Sequence, residues 1–282
     1  MANINRNIQA ARPSAPTTFS TFMTQTGVRA KLKNMLGEQK ALNFITSIVT
    51  SVNKNPDLVR CDRATVLSAA LEGAALDLSP SSTLGYFYLV PYKDNKNNRQ
   101  VAQFQIGYKG YIQLAIRSGQ YKKINVLAIK QGELMGYNPL TEELSVNIEE
   151  NDEIRESLPT IGYYAMFEMV NGFTKSMYCS KEKMEAHALK YSKGYKAKKG
   201  YTFWEKDFDS MAYKTMLRQL LSKWGAMSIE MTRAVVNDMG VMDEKGTPQY
   251  IDNDEVNDVE TAQPVTTEEV QESDPTSDFF DD

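Results

Sequence analysis

Cysteine and histidine are nearly missing from this sequence, which has two of the first and one of the second in 282 residues. Cys61 and Cys179 lie far apart and fit no zinc or short disulfide spacing. Reduced core thiols of a cytosolic protein are therefore expected. The solitary His187 falls on a helical pattern among ordinary residues and reads as a surface or core-edge side chain, not a catalytic base. No apolar run approaches the roughly eighteen residues of a membrane helix, and the N-terminus lacks the charged-then-apolar order of a signal sequence. A Gly-rich phosphate loop followed by Lys-Ser/Thr is also missing, which argues against an ATP-driven recombinase. Glu205, Asp207 and Asp209 stand at a helix start, where acids complement the helix dipole, so nothing demands a two-metal nuclease. Neither cofactor nor catalytic group is expected.

Positive charge is missing from one end. No Lys or Arg follows Lys245, while twelve acids lie between Asp252 and Asp282. The overall charge of −4 hides this segregation: without those twelve acids, 24 remain against 32 Lys and Arg, a net of +8. A basic body with an acidic tail suits a polyanionic partner. The tail reads as solubilising, as a docking segment for a partner, or as an electrostatic competitor for the site that body offers to nucleic acid. Residues 1–18, polar with Pro13 and Pro16, and 246–282 are expected to be disordered, leaving 19–245 as the folded domain.

What is present centres on Leu84–Lys130. LGYFYLVP alternates with Leu84, Tyr86, Tyr88 and Val90 on one face. The Asn-rich turn Lys93–Arg99 follows, and Val101–Gly107 returns as the paired strand. Tyr108–Gly119 then takes helical spacing, with Lys109, Gln113 and Arg117 four apart on one face and Gly119 as the C-terminal cap. Lys122 and Lys123 precede another strand. The stretch holds eight Lys or Arg and one acid, Asp94. Cations with interleaved tyrosines suit single-stranded nucleic acid, because cations follow phosphates and rings stack on bases.

Elsewhere, Phe19–Met35, Glu38–Asn53 and Asp62–Leu76 carry helical spacing, and Ala69, Ala70 and Gly73 suggest close packing. Glu133–Glu156 is acidic and lacks strong periodicity, and reads as a loop or excursion, a candidate subunit-contacting segment. Ile161–Val170 is a central strand, returned by the Asn171–Gly172 turn through Phe173–Cys179. Ser180 caps a helix to Tyr191, and a Lys-rich loop (Lys193–Lys199) follows. The capping box Thr202–Glu205 starts a long helix to Trp224, and Ser228–Met239 forms another.

LSPSSTLGYFYLVPY (Leu78–Tyr92), QIGYKGYIQLAIRSGQ (Gln105–Gln120), FWEKDFDSMAYKTMLRQLL (Phe203–Leu221) and SIEMTRAV (Ser228–Val235) together resemble the phage RecT-type single-strand annealing proteins, relatives of the lambda Beta protein. The resemblance covers roughly Leu42–Asp238, with the arm and acidic tail outside it. It implies an α+β fold, an antiparallel β-sheet with a long helix packed across it and flanking helices. It implies an ATP-independent protein, not an enzyme, that coats single-stranded DNA, anneals it to a complementary strand and holds the duplex intermediate. Such proteins work as homo-oligomeric rings or helical filaments in the bacterial host cytoplasm, beside a 5′→3′ exonuclease and the host single-strand-binding protein.

Annealing requires a grip on the sugar-phosphate backbone that leaves base edges free. The candidate phosphate ligands are Lys93, Lys96, Lys109, Arg117, Lys122, Lys123, Lys206, Lys214 and Arg218, with Lys214 and Arg218 foremost. Tyr108, Trp204 and Tyr86 are the candidate stacking rings. A sequence-specific regulator would need an element such as a helix-turn-helix, and no clear one appears. A metal-dependent nuclease and a structural oligomer with incidental charge are the other rivals.

Overall fold

A computed structural model describes residues 18–249 apart from 82, 96, 201 and 243–247. The expected arm and tail lie outside the described residues, save Thr18 and the short strand Pro248–Gln249. All described residues fall in one compact unit.

The chain opens with helices α1 (Phe19–Thr24), α2 (Thr26–Leu36), α3 (Glu38–Asn53), α4 (Pro56–Val59) and α5 (Arg63–Ala75). Thr18, Asn55 and Asp62 cap α1, α4 and α5 through side-chain oxygens. The face of α3 that meets the core is Ala41, Phe44, Ile48 and Val52. Leu42 is exposed on the same helix. The small stripe on α5 does permit close packing: Gly73 lies under the Phe87 ring, where a Cβ would stand 2.3 Å from the nearest ring atoms.

Strands β1 (Phe87–Asp94) and β2 (Arg99–Ile106) form an antiparallel hairpin in register from Phe87 against Ile106 to Asp94 against Arg99. Its pairing runs to Asp94, further than the Lys93–Arg99 turn of the sequence allows, and Asn98 supplies the left-handed residue with φ +47°. Helix α6 (Tyr108–Arg117) follows at once. The expected central sheet is β3 (Tyr121–Lys130), β6 (Thr160–Met169) and β7 (Thr174–Ser180), antiparallel in the order β3-β6-β7. Between β3 and β6 stand β4 (Leu134–Asn138) and β5 (Glu143–Val146), a two-stranded ribbon, and helix α7 (Asp152–Ser157).

The rest of the helical layer is α8 (Lys181–Tyr191), α9 (Lys193–Lys196), α10 (Phe203–Lys206), α11 (Phe208–Trp224) and α12 (Ile229–Asn237). Helix α11 packs across β3, β6 and β7 and against α6. The inner sheet face is Tyr163, Ala165 and Phe167, all fully buried, with Ala128 beside them. The long helix expected from Thr202 is broken once. The capping box at Thr202–Glu205 is formed, but Asp207 turns extended (φ −151°) and caps a second helix by accepting from the Ser210 amide. Strands β8 (Val241–Met242) and β9 (Pro248–Gln249) close the described chain beside β2. Among the described residues no helix is long and apolar enough to cross a membrane.

The acidic stretch Glu133–Glu156 is anchored by an ion pair between the buried Glu133 and the half-buried Arg155. Glu133 accepts from Arg155 at 2.6 and 3.1 Å and from the Lys130 amide at 2.7 Å, and Arg155 also donates to the Ala128 carbonyl. Burial alone would raise the Glu133 carboxyl. The Arg155 bonds and the Lys130 and Glu149 amides outweigh it and hold it below the usual carboxylate range. A carboxyl depressed in the folded state contributes stability above its unfolded value, about 4.3, which is lost as pH falls through the folded value. The urea midpoint is therefore expected to drop below about pH 4.3, and Glu133→Gln to flatten part of that drop. A variant with the wild-type acid limb would contradict this.

Candidate nucleic-acid interface

The end of the β1–β2 hairpin, the first turn of α6 and the α10–α11 junction enclose a cleft of about 160 Å³. Tyr88, Tyr108 and Phe203 give it aromatic walls, Ile106 and Met211 an apolar floor, and Lys206, Asp207, Ser210 and Gln105 a polar margin. The Tyr88 and Phe203 rings touch at a centroid distance of 5.6 Å. Tyr108 stands edge-on to Tyr213 at 5.4 Å, with the Lys109 ammonium 5.9 Å from its centroid. Burial pushes the Tyr88 hydroxyl above the usual tyrosine range, with the Asp207 charge and Tyr108 adding to it.

Local sequence explains why these elements converge. Gly107 starts α6 with no side-chain cap, so the helix dipole and first-turn amides add positive potential at the cleft. The chain entering β1 lies directly on that turn: a Cβ at Gly107 would stand 2.3 Å from the Gly85 carbonyl oxygen, and one at Gly110 2.2 Å from that of Tyr86. Backbone atoms cannot retreat as a side chain does. Gly110→Ala is therefore expected to cost about 1–3 kcal/mol, read as a lower urea midpoint. A midpoint within error of wild type would show that the close approach is not needed.

Only part of the expected site gathers here. Tyr108, Lys206 and Lys214 line the cleft, and Lys109 stands beside it. Lys109 and Lys206 are exposed and pair with no carboxylate among the described residues. Lys93 is exposed near the hairpin tip, and Lys96 lies outside the described residues. Lys122 and Lys123 stand on β3 and share Glu168, at 2.6 and 3.6 Å.

Four expectations are corrected. Arg117 donates to the Leu76 carbonyl at 2.6 Å and the Asp77 carbonyl at 3.0 Å, so it closes the C-terminal end of α5. Trp204 is 7 % exposed, with Phe208 at 5.0 Å and His187 and Tyr195 also against it, so its ring is core. Lys214 and Arg218 share a face as their spacing requires, but that face points inward. Lys214 is 5 % exposed and donates to Asp238 at 2.8 Å. Arg218 donates to the other Asp238 oxygen at 2.8 Å and to the Val235 carbonyl. Burial pushes the Lys214 ammonium below the usual lysine range; Asp238 opposes that, and Arg218 reinforces it.

The cleft also contains residues that sequence reasoning missed as site residues. The sequence pattern places Tyr88 only on a strand face and Phe203 only at a helix start. Their signal was the alternation that puts Tyr88 on the face of Tyr86, together with the capping box that exposes position 203 as the first helical residue.

This α+β body brings aromatic walls, and lysines that pair with no carboxylate among the described residues, to one helix start, an arrangement that suits a polyanion. Comparison with known proteins narrows that class. The RecT family model matches residues 42–267. The chain is 38 % identical over 284 residues to the uncharacterized protein YqaK of Bacillus subtilis (strain 168), covering 97 % of this chain and 93 % of that one. It is 31 % identical over 222 residues to the protein RecT of Escherichia coli (strain K12), covering 77 % and 79 %. The chain belongs to the RecT family, and with it to the proteins of DNA recombination and single-strand annealing. The match to residue 267 takes in part of the acidic tail, which the sequence resemblance had left outside.

Proposed function

We propose that this chain anneals complementary single strands of DNA without ATP, coating one strand as an oligomer and holding the paired intermediate. The observation that carries this reading is the cleft, in which rings and lysines without a carboxylate partner among the described residues meet at the start of α6 in a RecT-family chain. Lys109 and Lys206 take phosphates there, Lys93 extends the track along the hairpin, and Tyr108, Tyr88 and Phe203 contact sugars or bases; Lys96, outside the described residues, stays a candidate phosphate ligand. Lys122 and Lys123 reach DNA only by giving up Glu168. The remaining candidates act indirectly. Asp238 ties Lys214 and Arg218 to the Ile106 amide and so fixes the cleft floor, Arg117 fixes α6 on α5, and Trp204 fixes α10 on α11.

The protein is not an enzyme in this reading and needs no cofactor. Its partners are a 5′→3′ exonuclease that exposes single strands and the host single-strand-binding protein, with ring or filament assembly on the DNA. Binding held by phosphates weakens steeply with salt, with a slope near 0.7 per phosphate on single strands. Titration of labelled oligonucleotides of unrelated sequence over a salt series tests the grip. Equal affinities and a steep common slope are expected. Strong preference for one sequence, or binding indifferent to salt, would favour the regulator or the structural oligomer.

A further inference from the structure

The cleft beside α6 carries more than a grip on phosphates requires. Its volume of about 160 Å³ is roughly the room that one six-membered ring fills in an apolar cavity. Tyr88, Tyr108 and Phe203 line it with rings, and Ile106 and Met211 with apolar side chains. Such walls cannot replace the water around a phosphate, but they match the π-face of a nucleobase. The acid on the margin, Asp207, adds to this, since it repels an anion and tolerates a neutral ring.

The lining also holds spare hydrogen-bonding capacity. Lys214 is buried and lines the cleft. An ammonium has three N–H groups, and among the described residues that of Lys214 donates to one acceptor, Asp238, at 2.8 Å. The same Asp238 oxygen accepts the Ile106 amide at 3.1 Å, which sets the ammonium beside the end of β2 that borders the cleft. A buried donor without an acceptor carries a desolvation cost, so the unspent N–H groups suit a ligand that accepts. The buried Gln105 side chain makes one long bond among the described residues, 3.5 Å from its Nε2 to Gln103. Its carboxamide can donate or accept. An ammonium already matched by Asp238 and a neutral carboxamide suit base edges, each of which offers at least one acceptor.

We propose that the cleft is a nucleobase pocket: one base per protomer leaves the stack and enters it, with its face against Tyr88 and Phe203 and an edge acceptor on Lys214. This rests on the reading of the cleft as the DNA site. Beyond its structural tie to Asp238, Lys214 then serves as a donor to the base, while the exposed Lys109 and Lys206 hold the flanking phosphates. Extrusion from a single strand costs little, since no base pair is broken. Every base has a π-face and an edge acceptor, so the pocket tolerates sequence. The held base is withheld from pairing until it is released, and the bases between pockets stay free to find a complement.

The experiment uses the full chain and two labelled oligonucleotides of equal length. One is an oligothymidylate, the other a strand of tetrahydrofuran abasic nucleotides, which keeps every phosphate and offers no base in any register. Anisotropy titrations at constant salt compare the wild type with Phe203→Ala and Phe203→Tyr, both at an exposed ring. In parallel, 5-iododeoxyuridine replaces thymidine in the first strand and photo-cross-links are mapped. The wild type should bind the thymidylate roughly 5- to 150-fold more tightly, the span of one stacked base. Phe203→Ala should lose most of that ratio while keeping its affinity for the abasic strand, and Phe203→Tyr should retain it. Cross-links should fall on the peptides that carry Tyr88 or Phe203–Met211. Equal wild-type affinity for the two strands would overturn the pocket and leave the DNA site standing on phosphates alone. A ratio unchanged in Phe203→Ala, or cross-links confined to other surfaces, would place the bases elsewhere and overturn it as well. Binding of neither strand would take down the DNA reading of the cleft and this inference with it.

Discussion

Asp238→Ala is expected to lower folding stability by about 3–5 kcal/mol, the usual loss when one member of a buried ion cluster is removed. Asp238 is 1 % exposed and holds three donors: the Lys214 ammonium at 2.8 Å, the Arg218 guanidinium at 2.8 Å and the Ile106 amide at 3.1 Å. These come from α11 and β2, while Asp238 itself follows α12, so one carboxylate joins three elements. Its removal strands a buried ammonium and an unpaired strand amide, each of which carries its own desolvation cost. Asp238→Asn keeps an acceptor but not the charge and should fall between the two. Urea unfolding of both variants checks the order. A loss under about 1 kcal/mol for the alanine variant would show that the cluster behaves as a surface pair.

The second large effect concerns DNA. Lys109→Glu/Lys206→Glu reverses two exposed cations at the cleft that pair with no carboxylate among the described residues. Oligonucleotide affinity at low salt should fall by roughly 10- to 100-fold, and the salt slope should shrink by about 1.4 for two lost phosphates. The same reversal at Lys31, exposed on α2, should move affinity far less. Unfolding midpoints within about 0.5 kcal/mol of wild type, as expected for surface changes, would confirm that binding and not folding was altered. A double variant with wild-type affinity would remove this cleft from the DNA path.

The contrast between these two predictions shows where sequence was readable. Period-two alternation in Leu84–Gly107 and period-3.6 spacing in Tyr108–Gly119 appear as β1, β2 and α6, and Asn171–Gly172 turns β6 into β7, because these patterns act over a few residues. The spacing of Lys214 and Arg218 likewise fixes that they share a face. It does not fix which way the face points, since their partner Asp238 lies 24 and 20 residues further along the chain. Alanine at both positions would leave Asp238 uncompensated, so a DNA defect there would be inseparable from a folding defect. Trp204 and Arg117 were misjudged for the same reason, their neighbours being Phe208 with His187, and the α5 carbonyls. The break at Asp207 was hidden because helical spacing continues through it while its side chain supplies a fresh cap. The β4–β5 ribbon was missed because its strands have five and four residues and depend on the distant contacts of Glu142 with Lys175 and Ser176.

The most direct test of the central claim is annealing of two complementary oligonucleotides, added to the protein one after the other without nucleotide. Lys109→Glu/Lys206→Glu is run beside the wild type. The account predicts pairing faster than that of the free strands, within a salt-sensitive protein–DNA complex, and slowed in the variant. Pairing no faster than without protein, with no complex formed, would contradict it.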